Sequence, residues 1–487
     1  MRNLLNNNLP YLNRLFFIGL LFPFGVFSQF ANSDWDTIPF PYGTQGVGIE
    51  FIIPDPSNTS LVIGGGGLSG SNPSGNYLLK YENNTVQPLG EFDNKIWGAT
   101  YYHGELIVGG GFENVSGVPV TSLAKYNGQN WSPFGEFIFD SLNQGLVRDV
   151  LVIDDTLYAV GGFNVIDGDS IKAVARLING NWEAVYGSPL YGIASYILKY
   201  KGNLYVSGVN VMYNGTIYSD IAMYKNGEWQ PVGPPYLGGG FTHIKDMTVY
   251  NDELYVLGWI QKNDGNVGNG IQKWDGTQWS EVGTGLQSVN PGYGTVQPFD
   301  MEVHNGKLYV VGGFIYAGNV PARFVATWDG NQWCSMNTSV FSASSPTFFN
   351  GVGFLNDSIF CGFSGRITEG NDSAFYQGVV KAPLNLISDT CSIDFTTGIT
   401  DLNLSSSDLV ISPNPASSFI NIKFDRLPES KVRVWITDYS GRVVKQQRVY
   451  ESINEIPVSI KGFSNGLYFV HIEIDNAVQV KKLVVAH

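Results

Sequence analysis

The stretch LYVVGGF at residues 308–314 decides the fold, because close copies of it recur along the chain. The copies are LVIGGGG from Leu61, LIVGGGF from Leu106, LYAVGGF from Leu157, LYVSGVN from Leu204, LYVLGWI from Leu254 and a degenerate IFCGFSG from Ile359. Their starts are 45 to 54 residues apart, a period that suits one four-stranded blade of a β-propeller better than a two-helix repeat. The repeat therefore predicts an all-β ring with one blade for each copy.

A tryptophan fixes the register of the repeat. Five copies have a Trp 25 residues after their first Leu, at Trp131, Trp182, Trp229, Trp279 and Trp333. A strand and a tight turn precede this Trp, as in VATWDGNQW at residues 325–333. Each unit thus reads as strands A to D, with paired glycines at the end of strand B and the Trp in strand D. We expect the glycines to permit a bulge or a close backbone approach, and the Trp to fill the wedge between blades.

Seven complete blades require a strand from the other end of the chain. The last copy lacks the hairpin and the Trp, whereas Trp35 precedes Leu61 by 26 residues, within the 22 to 29 that separate each later Trp from the next copy. We expect residues 34–40 to supply strand D of the seventh blade, which leaves no long unpaired edge. In the alternative, residues 384–387 supply this strand and Trp35 lies outside the ring.

The repeats resemble those of kelch-type propellers, in which an apolar strand ending in Gly-Gly precedes a later Trp. The resemblance covers residues 34–383 and implies the fold. It does not imply one function, because such propellers include oxidases, lectins and protein-interaction modules.

The N-terminal residues predict export. Residues 1–28 have the layout of a signal peptide, with Arg2 and Arg14 before an apolar run at residues 15–27. We therefore assign the propeller to residues 29–383 and a Ser/Asp/Thr-rich linker to residues 384–408. No later segment has the ~18 apolar residues of a membrane anchor, so we expect no transmembrane anchor.

A second domain is predicted at residues 409–487, where short alternating strands indicate a small Ig-like β-sandwich. This segment is similar to the type A C-terminal sorting domain of the type IX secretion system of Bacteroidetes-type bacteria. The matching residues are Pro413, Asn414, Pro415, Asp438, Gly441, Gly466, Tyr468, Lys481 and Lys482. The resemblance implies the type IX machinery as a partner, and release into the medium or attachment to the outer-membrane surface.

The charge of the chain limits its partners, and its cysteine content limits its disulfides. The chain has 28 basic and 42 acidic residues, and its net charge of −14 would repel phosphate backbones, so nucleic acid is not expected as a partner. Three cysteines allow one disulfide at most. Cys361 lies in an apolar strand run typical of a buried thiol, which favours Cys334 and Cys391 as the pair.

Motifs for catalysis are absent from the sequence. No nucleophile elbow, phosphate loop or zinc-protease helix is present, and we predict neither catalytic residues nor a required cofactor. Asp149, Asp246 and Asp300 each lie eight residues before the Leu of strand B and are candidate Ca²⁺ ligands in a central channel. In the alternative, these carboxylates accept backbone N–H bonds or pair with Arg148 and Lys245.

Connections between blades vary in length and hold aromatic residues beside Gly and Pro. These candidate ligand contacts are Phe137, Phe139, Tyr236, Phe241, Tyr293 and Phe299. Such loops on a rigid ring favour recognition of a protein or a glycan, unless the rings pack between blades instead. The second hypothesis is a secreted carbohydrate-active enzyme, a lyase or an oxidase, that acts at the channel mouth.

Overall fold

The computed structural model describes residues 35–38, 47–67, 76–140, 143–187, 190–233, 243–260, 270–287, 296–336, 338, 341, 348–369, 372–385, 391, 410–424, 432–438, 443–449, 455–474 and 477–487. The predicted signal peptide at residues 1–28 lies outside them. Every regular element of the described residues is a β-strand. Contacts divide the chain into two units, Met1–Ile393 and Asp394–His487.

Antiparallel sheets of mostly four strands make up the first unit. After β1 (Asp36–Ile38), the first sheet contains β2 (Val47–Pro54), β3 (Leu61–Gly67), β4 (Asn76–Glu82) and β5 (Thr85–Phe92). The next contains β6 (Ile96–Tyr102), β7 (Glu105–Gly110), β10 (Leu123–Tyr126) and β11 (Trp131–Pro133). Between β7 and β10 in the chain, the hairpin of β8 (Asn114–Val115) and β9 (Val118–Pro119) pairs with β5 and so extends the first sheet.

The third and fourth sheets follow the same order. The third is preceded by β12 (Phe137–Asp140) and β13 (Asn143–Gln144), and contains β14 (Leu146–Ile153), β15 (Thr156–Gly162), β17 (Val174–Ile178) and β18 (Asn181–Ala184), with β16 (Val165–Ile166) in the loop between β15 and β17. The fourth contains β19 (Leu190–Gly192), β20 (Ile197–Tyr200), β21 (Asn203–Tyr213), β22 (Thr216–Lys225) and β23 (Glu228–Pro231). Its first strand is split, because β19 and β20 both pair with β21.

The remaining sheets complete the unit. The fifth contains β24 (His243–Tyr250), β25 (Glu253–Trp259), β26 (Ile271–Trp274) and β27 (Trp279–Glu281). Around the sixth are β28 (Leu286–Gln287), β29 (Gln297–His304), β30 (Lys307–Gly313), β31 (Tyr316–Ala317), β32 (Val320–Pro321), β33 (Val325–Trp328) and β34 (Trp333–Ser335). The last contains β35 (Phe348–Leu355), β36 (Ser358–Glu369) and β37 (Asp372–Pro383).

The first strands of successive sheets contact one another in chain order, and β35 of the last sheet contacts β2 of the first. The sheets are therefore arranged around these strands as in a propeller. β1 pairs with β37, so the N-terminal segment supplies the outer strand of the last sheet. Trp35 is buried there against Phe341 and Phe349. Leu384 lies beyond β37 and packs on the same core rather than taking the place of β1.

The tryptophans of the outer strands hold neighbouring sheets together. Their indole N–H groups donate to backbone carbonyls of the preceding sheet, from Trp131 to Leu89 (2.9 Å), from Trp182 to Phe134 (3.3 Å), from Trp279 to Val232 (3.3 Å) and from Trp333 to Val282 (2.9 Å). Each of these four indoles, and that of Trp229, also lies against a glycine of the preceding sheet. These five glycines are Gly90, Gly135, Gly187, Gly233 and Gly283, where an added Cβ would lie 2.5 to 3.0 Å from the indole.

The disulfide extends the first unit beyond the predicted end of the propeller. Cys334 and Cys391 are bonded, which is the pair that the sequence favoured, and Cys361 is a buried free thiol. Cys391 lies in the segment assigned to the linker. The contacts place the boundary after Ile393, because the start of this segment is attached to the sheets.

The second unit has its own core. Its strands are β38 (Val410–Ser412), β39 (Phe419–Lys423), β40 (Val432–Asp438), β41 (Val443–Val449), β42 (Glu455–Ser459), β43 (Gly466–Ile474) and β44 (Ala477–Val485). They form two sheets, in the orders β38-β39-β42 and β41-β40-β43-β44, and both contribute to one apolar cluster that includes Ile422, Val434 and Val470. The described part of the chain holds no helix that could span a bilayer.

The fit between indole and glycine predicts the effect of one methyl group. Gly233→Ala should destabilise the first unit, because the new Cβ would lie 2.5 Å from Nε1 of Trp279. Gly227→Ala is a matched control, since Gly227 has nearly the same φ (+84° against +83°) but no atom within 4 Å of its Cβ position. Chemical denaturation should show that Gly233→Ala costs about 1–3 kcal/mol more than Gly227→Ala. Equal losses would mean that the backbone angle alone matters.

Candidate functional site

In six sheets, one residue of the first strand is left unpaired with the second strand. This residue lies at the same level in each sheet. The skipped residues are Glu50, Trp97, Arg148, Lys245, Phe299 and Asn350. Such a β-bulge leaves a residue out of the ladder and redirects its side chain. The paired glycines of strand B explain it, because a Cβ on Gly161 would collide with the carbonyl oxygen of Leu146, and one on Gly312 would lie 2.6 Å from that of Gln297.

Cations and indoles gather where these skipped residues lie. The guanidinium carbon of Arg148 is 4.7 Å from the ring centre of Trp97, and Nζ of Lys245 is 5.2 Å from that of Trp259. Lys95 forms an ion pair with Glu50. We define the channel mouth as this set of Glu50, Lys95, Trp97, Arg148, Lys245 and Trp259. Its side chains come from four different sheets, so the ring brings together residues that are distant in sequence.

The electrostatics of the channel mouth are cationic. Burial lowers the pKa of the Lys245 ammonium, Glu50 raises it, and the positive charges of Arg148 and Lys95 lower it. Burial, Lys245 and Arg148 likewise lower the pKa of His243. Three cations therefore face one carboxylate, in a chain whose net charge is −14. A local excess of positive charge of this kind attracts anions.

The three candidate metal ligands follow the skipped residues directly and act as links between sheets. Each carboxylate accepts a backbone N–H of the next sheet's first strand, from Ile197 to Asp149 (3.1 Å), from Met301 to Asp246 (2.9 Å) and from Val352 to Asp300 (2.7 Å). Among the described residues, no group of three or more His, Cys, Asp or Glu side chains could hold a metal ion. The geometry thus favours the backbone-bonded alternative over a Ca²⁺ site.

The surroundings of these carboxyl groups raise their pKa values. Burial raises the pKa of Asp149 to about 6 and that of Asp300 to about 6, against the N–H bonds that lower both. Burial and the neighbouring Asp300 raise the pKa of Asp246 well above its usual value. Asp246 and Asp300 also share a side-chain hydrogen bond. Since two buried carboxylates in contact cannot both be charged at low cost, this pair retains a proton more readily than an exposed Asp.

A cavity lies at the other ends of the first strands β2, β29 and β35. It has a volume of about 530 Å³, and its lining includes Glu302, His304 and Phe354. Burial and the charge of Asp300 raise the pKa of Glu302 to about 7. The imidazole of His304 stacks on Phe354 at 4.0 Å, and burial lowers its pKa.

The predicted aromatic ligand contacts differ in how far they are exposed. Phe137 is fully buried against Phe163 and Trp182, so its assignment to an exposed surface was wrong; the pairing of β12 with β16 places it in the core. Phe139 is 47% exposed. Phe299 is half-buried against Phe348, with ring centres 5.3 Å apart. Tyr236, Phe241 and Tyr293 lie outside the described residues.

Sequence reasoning missed Trp97 and Trp259 as site residues and considered Arg148 and Lys245 only as ion-pair partners. Their equivalent positions in the repeat could have indicated a shared role, because Arg148 and Lys245 directly precede Asp149 and Asp246 in VRDVLV and IKDMTV. The β-bulge leaves Arg148 and Lys245 unpaired with the second strand of their sheets.

In the second unit, Asn414 fastens the first segment to the last strand. Its Nδ2 donates to the carbonyl of Lys482 and its Oδ1 accepts the N–H of Val484, both at 2.8 Å. The hydroxyl of Tyr468 donates to the carbonyl of Ser464 at 3.0 Å. Of the other matched residues, Pro413 and Pro415 flank Asn414, Asp438 ends β40, Gly466 begins β43, Lys481 and Lys482 are exposed on β44, and Gly441 lies outside the described residues. Asn414 and Tyr468 thus have structural roles.

Comparison with known proteins identifies the second unit. Residues 410–486 match the family described as the secretion system C-terminal sorting domain. The chain therefore carries a sorting domain, which implies secretion or attachment at the cell surface. A search among curated proteins finds no match to the chain.

Two solved structures are weakly similar to the chain. One is the extracellular domain of BT4673, described as a one-component system, from B. thetaiotaomicron, with 11% identity, 92% of this chain and 76% of that chain covered, and a TM-score of 0.22. The other is the Dos1 propeller, with 11% identity, coverage of 91% and 96%, and a TM-score of 0.25. Neither score is high enough to bear on the fold, which is argued from the sheets themselves.

The raised carboxyl pKa values predict a pH effect on stability. A proton that the folded chain holds and the unfolded chain releases makes folding less favourable as the pH rises from about 4 through about 6. Asp246→Asn mimics the protonated acid and should flatten this dependence, most visibly by stabilising the protein at the alkaline end relative to the parent. Chemical denaturation at a series of pH values measures it. An unchanged slope in the variant would contradict the assignment, and Asp275→Asn, at an exposed turn carboxylate whose pKa is lowered, should not flatten it.

The bonds of Asn414 predict a local loss of stability. Asn414→Ala removes both hydrogen bonds to β44 and should destabilise the second unit by about 1–3 kcal/mol. Hydrogen exchange followed by mass spectrometry on peptides of β44 in the full chain measures it. Asn465→Ala, which loses one bond to the backbone of His487, should have a smaller effect. Equal protection of β44 in parent and Asn414→Ala would show that the amide is dispensable.

Proposed function

We propose that the chain is a secreted or cell-surface binding protein. In this proposal, a seven-bladed kelch-type propeller at residues 29–383 presents a ligand site. An Ig-like sandwich at residues 409–487 directs export through the type IX secretion system. The count of seven is supported by the repeat, by the contacts between the first strands and by the pairing of β1 with β37. The ligand is a protein or a glycan.

The observation that carries the binding function is the channel mouth. Six sheets displace one residue each from the ladder at the same level, and charged and aromatic side chains of these residues meet there. Each bulge interrupts the ladder locally and redirects one side chain. Rigid strands position these groups better than loops would, which is what a recognition site needs.

An array of glycans and secreted proteins, probed with the purified full chain, tests binding. Specific retention of at least one ligand is expected, without turnover. Rapid degradation of a bound polysaccharide would instead favour the enzymatic hypothesis.

The cavity lined by Glu302 and His304 is the observation that favours an enzyme as second candidate. A carboxyl with a pKa of about 7 and a neutral imidazole, such as Glu302 and His304, could exchange protons near neutral pH. A lyase that removes a proton beside a carboxylate needs such a base. Polysaccharide cleavage that Glu302→Gln abolishes, with binding at the channel mouth unchanged, would establish it.

Truncation tests the export function. A chain ending at Ser407 should keep a folded first unit, because Cys391 and its disulfide remain, but it should accumulate in the periplasm since the sorting domain is lost. Cell fractionation measures it against the full chain. If the truncated protein reaches the medium or surface equally well, residues 409–487 are not the export signal.

A second truncation separates folding from export. A chain ending at Pro383 also loses Cys391, and its first unit should be about 2–4 kcal/mol less stable than that of the chain ending at Ser407. Equal stability of the two truncated chains in chemical denaturation would contradict a stabilising disulfide.

A further inference from the structure

We infer that the channel mouth binds acidic glycans, in which uronate carboxylates meet Arg148 and Lys245 and sugar rings lie beside Trp97 and Trp259. This inference rests on the proposed binding function and names the ligand class.

Charge selects an anionic ligand. Lys95 is already paired with Glu50, so Arg148 and Lys245 carry the excess positive charge. Each of these two cations lies over an indole face, at 4.7 Å and 5.2 Å. A guanidinium held over a ring is ordered before the ligand arrives, and its N–H groups remain suited to a carboxylate. The site therefore offers two positioned cations for carboxylate groups.

The indoles favour a sugar over an acidic peptide. Trp97 and Trp259 are half-buried, and each lies beside a cation. The C–H face of a sugar ring packs on the accessible part of an indole, while the carboxylate of a uronate reaches the neighbouring cation. An acidic peptide side chain supplies the carboxylate without the ring.

The groups behind the channel mouth limit how much negative charge it accepts. Asp149, Asp246 and Asp300 directly follow the skipped residues of their strands. Their partial ionisation opposes a dense polyanion such as a polyphosphate, which carries a full charge at every unit. Uronates spaced by neutral hydroxyl-bearing ring atoms place fewer charges in the same length.

Calorimetric titration of the full chain with short oligogalacturonate, oligoglucuronate and oligomannuronate tests the inference. Saturable binding of at least one is expected, and the methyl ester of the bound sugar should bind at least about tenfold more weakly. Arg148→Gln and Lys245→Gln should each weaken binding by about tenfold or more. Lys201→Gln is the matched control, because Lys201 also lies over an aromatic ring, Tyr200 at 5.1 Å, but in the turn after β20 at the opposite end of the strands. Thermal unfolding checks that the variants fold.

The outcomes separate this inference from the function on which it rests. Equal binding of the methyl ester, tight binding of polyglutamate instead of uronates, insensitivity to both variants, or no binding of any uronate would overturn the inference. If the array then retains another protein or glycan, the binding function still stands. If neither the uronates nor any array ligand binds, the binding function fails with it.

Discussion

The close approach of two backbones is the constraint on which the first unit depends. Where strand B carries paired glycines, the carbonyl of strand A lies so close that a Cβ on Gly161 would collide with Leu146. Glycine permits this approach, and strand A skips one residue beside it. The same local event turns Arg148 toward the channel mouth and places Asp149 where it accepts the N–H of Ile197 in the next sheet. Glycine thus couples the binding groups to the links that hold the ring.

A matching constraint operates at the outer edge of the ring. Trp279 needs a space that only a glycine leaves, and Gly233 of the preceding sheet provides it. The bond from the indole N–H to Val232 then fixes the angle between the two sheets. The pairing of β1 with β37 supplies the outer strand of the last sheet, so that this sheet has no long free edge there.

Much of this architecture is visible in the sequence, since the constraints repeat with the period of the fold. The glycines and tryptophans recur, and the spacing of Trp35 indicated the outer strand that β1 now supplies. The site is less predictable because it depends on register. The residues around Arg148 do not indicate whether its side chain forms an ion pair with Asp149 or is left out of the ladder by a bulge. The burial of Phe137 follows from the pairing of β12 with β16, which the sequence does not predict.

The carboxyl groups behind the channel mouth show how linkage between sheets and ligand binding can coexist. A carboxyl accepts a backbone N–H whether or not it holds a proton, so Asp246 and Asp300 can link three sheets without both being ionised. Burial favours this neutral state, and their mutual hydrogen bond lets one proton serve the pair. The coupled pair therefore places less negative charge behind Lys245 than two ionised aspartates would, while both carboxyl groups still accept their N–H bonds.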